Sequence, residues 1–284
     1  MVDLKNTFEN IKLENPNMSL DELLYTTYNK INEDSDENKD FEYYKNQILE
    51  ENNINEFEYY TKDVNKELKE YINKEIFPQY EVNDKAHGII HIKEVIRRAF
   101  ALNDTFKLGL DKNMIYTIAA CHDLGKHENH EIHEKIAAKR FISDDNFKSY
   151  FDETKREIIR DAIEDHRSSK EDMPRTTYGK LISSADRNTR IEIVFIRSFF
   201  VAKERMPETN IEEYLDYTIK RLSKKYSEEN PENMFYEDEI YKTFIKDMRD
   251  LLKNEIEFKN RYCEVNKITS RENKVQDETG VINS

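Results

Sequence analysis

The chain has 284 residues, 37% of them charged, with a formal net charge of −14 and an isoelectric point near 5.1, a balance that excludes nonspecific binding of long DNA or RNA, which needs a basic face. No run of about 18 apolar residues is present. The start MVDLKNTFENIK lacks a signal-peptide centre, and Cys121 and Cys263 form neither a disulfide framework nor a CxxC pair, so a cytoplasmic protein without a membrane partner is expected.

Five glycines and five prolines in the whole chain favour long helices over many short strands. Residues 1–62 read as an acidic helical appendage, with fifteen acidic and five basic side chains in the first 60. Ser19 and Glu22 make a capping box before LLYTTYNKI, and NEDSDENKD (32–40) is a charged break. Aromatics at Phe41, Tyr43, Tyr44, Phe57, Tyr59 and Tyr60 are too many for a disordered tail, and the acidity makes this segment a candidate docking arm for a protein partner.

A helix is expected through VNKELKEYINKEIF (64–77), stopping near Pro78. The next covers 88–103, with Ile92, Val95, Ile96 and Ala99 on one stripe. Asp111 caps a third, where Ile115, Ile118, Ala119 and His122 keep the same spacing; a fourth spans 131–143. A fifth, 153–166, aligns Ile159, Ala162, Ile163 and His166, and further helices follow over 178–206, 209–226 and 238–262 before a polar tail, 267–284. No alternating strand pattern occurs, so the fold is all-α.

Four of the seven histidines, His122, His127, His130 and His133, fall within CHDLGKHENHEIHEK (121–135). His122 and His166 each close an apolar stripe and should point inward; Asp123 follows the first, and Asp186 lies one turn after Ile182. A buried carboxylate is costly unless paired or bound to a cation. Imidazoles and carboxylates from separate helices suit Mn, Fe, Ni or Zn. A zincin site fails, because position 131 is Glu131 where a histidine is needed, and His130 and His133 are one residue too close.

HIKEV (91–95), AACHDLGK (119–126), EDHRSS (164–169) and KLISSADRN (180–188) resemble the successive motifs of HD-domain metal-dependent phosphohydrolases. The resemblance implies an HD-domain helical bundle over 63–206, with C-terminal helices (207–266) packed on it. It also implies His91, His122, Asp123 and Asp186 as metal ligands. HGIIH offers His87 as well as His91; the family spacing to Val95 favours His91, leaving His87 near a substrate phosphate or at the helix start. Two-metal members add two histidines, matched by His133 and His166, with Asp123 bridging; His127 and His130 are expected in solvent or behind the ligands. The implied cofactor is one or two divalent ions, Mn, Fe or Ni foremost, activating water for attack on a nucleotide or another small phosphorylated substrate. Lys126 would assist catalysis, and Arg167, Arg187, Arg175 and Lys180 are candidates for binding phosphate. A di-iron HD-type oxygenase and a non-catalytic nucleotide-binding regulator remain alternatives.

Overall fold

The computed structural model describes residues 3–34, 39–83, 88–167, 172–207, 209–228 and 234–267. Among these there is no strand and no helix long and apolar enough to cross a membrane. The chain packs as two compact units, Met1–Arg187 and Asn188–Ser284.

The first unit holds α1 (Leu4–Glu14), α2 (Leu20–Asp34), α3 (Phe41–Glu51), α4 (Glu56–Thr61), α5 (Lys66–Tyr71), α6 (Ile89–Thr105), α7 (Lys112–Cys121), α8 (His133–Ser143), α9 (Glu153–Asp165) and α10 (Thr177–Ala185). Short polar side chains start most of them: Asp40, Asn65, Asp111, Asp152 and Thr176 each accept a hydrogen bond from a backbone N–H of the first turn. The capping box forms as read, with Ser19 N donating to Glu22 at 2.7 Å and Glu22 N to Ser19 Oγ at 3.2 Å. The helix expected over 64–77 is broken: α5 gives way to a π turn at Ile72–Ile76 and a 3-10 turn at Phe77–Val82, where Pro78 has no N–H to offer.

Helix α7 is buried on every side from Met114 to Cys121, as an all-round apolar helix must be. It packs against α6, α9 and α10. Its end is tied down by Tyr80, whose hydroxyl donates to the Ala120 carbonyl at 2.8 Å. The chain then turns through 122–132 before α8. Gly125 allows this turn to press on α8: a Cβ there would lie 2.5 Å from Ile136 Cβ and 3.1 Å from the His133 carbonyl oxygen.

Charge also holds this unit together. Arg97 of α6, 6% exposed, donates to Asp21 of α2 at 3.1 and 3.2 Å, to Glu56 of α4 at 3.1 Å and to Glu94 at 2.9 Å. Tyr60 donates to the same Asp21 at 2.7 Å, and Lys45 of α3 lies 3.1 Å from Glu56. Burial works to raise the Asp21 carboxyl, but Arg97, Arg98 and Lys45 outweigh it and hold it below its ordinary value.

The second unit holds α11 (Ile191–Arg205), α12 (Ile211–Lys225), α13 (Glu239–Lys253) and α14 (Glu255–Val265), which share a core that includes Phe195, Leu222, Met248, Phe258 and Tyr262. Two breaks differ from the expected helices. The stretch 178–206 divides at Asp186–Arg190, and 238–262 divides at Asn254, which ends α13 and caps α14 through Glu257 N at 3.3 Å.

Two substitutions test what holds the first unit. Arg97→Ala leaves the buried Asp21 and the half-buried Glu56 without their main cation, so urea unfolding should show a loss of about 3–5 kcal/mol. Gly125→Ala drives a methyl into the stem of Ile136, which cannot swing away, and should cost about 1–3 kcal/mol in the same measurement.

Candidate metal centre

Five helix ends meet at one place. His122, His166 and Asp186 are the residues that close α7, α9 and α10, while His91 lies in the first turn of α6 and His133 opens α8. Asp123 follows His122 and is 1% exposed. Three helix C-termini present negative dipole ends here and two N-termini, of α6 and α8, positive ones.

The histidines share a local device. Nδ1 of His122 lies 2.8 Å from the Ala119 carbonyl, Nδ1 of His133 2.9 Å from the His130 carbonyl, and Nδ1 of His166 2.7 Å from the Ile163 carbonyl. A carbonyl only accepts, so each Nδ1 carries a proton, and in the neutral ring each Nε2 keeps a lone pair facing the centre. His122 Nε2 is buried without a hydrogen-bond partner. His133 Nε2 and His166 Nε2 face each other at 3.3 Å, a separation at which two lone pairs repel unless a proton or cation lies with them. This donor set fits a divalent metal ion, held through Nε2 with the second nitrogen oriented from behind.

The two oxygens of Asp123 look in different directions. Oδ2 lies 3.6 Å from His122 Nε2 and 3.8 Å from His91 Nε2, and His91 Nε2 is 3.1 Å from Asp186. Oδ1 lies 3.1 Å from His133 Nε2, 3.6 Å from His166 Nε2 and 3.4 Å from Lys126 Nζ. Two groups have ligand atoms close enough to share an ion: His91 with His122 and Asp186, and His122 with Asp123 and His166.

Burial pushes the His122 imidazole down to about 4 and so keeps it neutral at neutral pH. Burial works in the opposite sense on the carboxyls of Asp123 and Asp186, but the surrounding imidazoles outweigh it and hold both well below the usual range. His122 thus offers a neutral nitrogen and the two aspartates ionised oxygens, the protonation state that ligands need.

All six residues implied as ligands therefore lie together. His87 falls outside the described residues. His127 and His130 have exposed side chains; His127 Nδ1 lies 3.2 Å from Asn83 Oδ1, and His130 serves through its carbonyl. Lys126 reaches the centre. Arg167 donates to the Glu131 carbonyl and lies 3.6 Å from Glu134, and Arg187 is buried, 3.3 Å from Ser183 Oγ. Arg175 is instead held by Asp165 at 2.8 Å and Glu164 at 2.6 Å, and Lys180 is half-buried on α10. Sequence reasoning passed over Glu134, which is buried beside His133 Nδ1 at 3.6 Å; its place directly after a candidate ligand was the available signal.

The HD domain family model matches residues 88–191. An uncharacterized protein of Clostridium beijerinckii is 33% identical over 111 residues, a stretch covering 37% of this chain and 66% of that protein. The chain thus spans slightly less than two thirds of that relative's length. No solved structure gives a significant match. Residues 88–191 are thus similar to an HD domain, the all-helical fold expected from the motifs.

Proposed function

We propose that this protein is a metal-dependent phosphohydrolase with two ion positions, acting on a nucleotide or another small phosphorylated compound. The observation that carries the proposal is the division of the ligands between the two oxygens of Asp123, with His91 and His122 near Oδ2, Asp186 beside His91, and His133 and His166 near Oδ1. Divalent ions held there would acidify a water and draw charge from phosphoryl oxygens.

The chain's own residues supply the rest. Nδ1–H bonds to the carbonyls of Ala119, His130 and Ile163 fix three imidazoles with Nε2 inward, so no ring has to turn when an ion is bound. Burial excludes water from Asp123 and strengthens every charge interaction around it. Lys126, Arg167 and Arg187 place positive charge beside candidate ligands, where a phosphoryl group needs it. The acidic chain as a whole disfavours long polynucleotides, which supports a small substrate. Redox-active iron in the same ligand set would give an oxygenase instead, a reading that consumption of oxygen by the iron-loaded protein would support.

Purified protein assayed with Mn, Fe(II), Ni, Co or Mg against nucleotides, dinucleotides and simple phosphate esters should release phosphate with at least one pairing. His122→Ala and Asp123→Asn should abolish release and strip metal while helical content is kept; full turnover by either rejects the hydrolase reading. His133→Ala and His166→Ala should each lower bound metal from two ions per chain towards one and cut turnover by more than the roughly 10–100-fold typical of groups behind the ligands. His130→Ala keeps the carbonyl that orients His133 and should leave metal content unchanged.

A further inference from the structure

The ion position around Asp123 Oδ1 already has a cation beside it. Lys126 follows Asp123 by three residues, and its backbone N–H donates to the Asp123 carbonyl at 3.1 Å, closing the turn that follows α7. The side chain folds back into the site, where it is 11% exposed and its Nζ lies 3.4 Å from Asp123 Oδ1 and 3.3 Å from His133 Nε2. Those are two of the three atoms that define the Oδ1 position; the third, His166 Nε2, is 3.3 Å from His133 Nε2. On the Oδ2 side the neighbours of the carboxylate are His91 and His122, with Asp186 beyond them.

We infer that Lys126 is a built-in competitor for the second metal ion: its ammonium fills the Oδ1 position, and the second ion binds only by displacing it. This rests on the two-position reading above.

The physical grounds are charge and hydrogen bonding. A carboxylate oxygen and two imidazole lone pairs gathered out of water are unstable without a positive partner. An ammonium satisfies them with N–H donors, a divalent ion by coordination, and the same lone pairs serve only one of the two at a time. Like charges at this separation also repel strongly in a buried site. The turn fixes where the lysine starts from, since Gly125 is wedged against Ile136, so withdrawal falls to the flexible side chain alone. The two ion positions are therefore unequal: the Oδ1 ion carries the cost of removing Lys126. If the lysine is inserted in more than about nine molecules in ten, the apparent affinity of the second ion is lowered about tenfold.

The test is calorimetric titration of metal-stripped full-length protein with Mn2+, paired with metal analysis after dialysis against a fixed low concentration of free Mn2+. Wild type should bind one ion tightly and a second at least tenfold more weakly. Lys126→Met keeps the stem and removes the charge; it should tighten the second ion by about tenfold or more and leave the first within about threefold. Lys126→Arg, which keeps the charge, should retain the weak second site. A second ion bound equally well, or less well, in Lys126→Met, with the first still tight, overturns the competition and leaves the metal centre standing. If neither wild type nor variant binds any ion, the metal reading fails and the competition with it.

Discussion

Everything at this site follows from one buried carboxylate. Asp123 is 1% exposed at the end of a helix that is itself fully enclosed, and the cost of taking its charge out of water has to be offset by positive charge nearby. The three helix C-termini that surround it cannot do this, because their dipoles present negative ends. Asp123, Asp186 and these C-termini thus create a demand for cations that the chain meets only in part, through Lys126, and divalent ions are the natural complement.

The same helix ends explain why the ligands are histidines. The last carbonyls of a helix have no partner within the helix. His122 and His166, placed just past the ends of α7 and α9, use Nδ1–H to satisfy the carbonyl three residues back. One hydrogen bond caps the helix and sets the tautomer. Stability and ligand geometry are therefore coupled, and an exchange to asparagine, which offers no second nitrogen, would keep at most the cap.

Much of this was legible in the sequence because it is written in helical periodicity. The stripes ending in His122 and His166 placed both residues inward, and Asp111 and Ser19–Glu22 marked helix starts that the structure shows. The break at Asp186–Arg190 was not legible, since Leu181, Ile182 and Ala185 before it and Ile191, Val194 and Phe195 after it are all buried apolar residues, and neither glycine nor proline lies between them. Charge counting also misjudged individual residues. Asp21 and Glu56 belong to the acidic excess of the first 60 residues, yet they surround Arg97 and Tyr60 inside the first unit; a sum of charges carries no information on burial. The approach of Lys126 to His133 depends on Gly125 meeting Ile136 across a turn, a tertiary contact that no spacing rule encodes.

The helix pairing gives the two proposed ion positions a structural separation. His91 and Asp186 come from α6 and α10, which pack on each other, while His133 and His166 come from α8 and α9, which form another packed pair. Helix α7, lying against α6, α9 and α10 and leading into α8, ends in the two residues common to both sides, His122 and Asp123. On the two-position reading, a change that loosens α8 against α9 reaches one ion position before the other, whereas damage to α7 displaces the carboxylate that both positions share. On that reading metal stoichiometry would be altered from the α8–α9 side alone, and Lys126, anchored in the turn between α7 and α8, stands on the side where such an alteration would act.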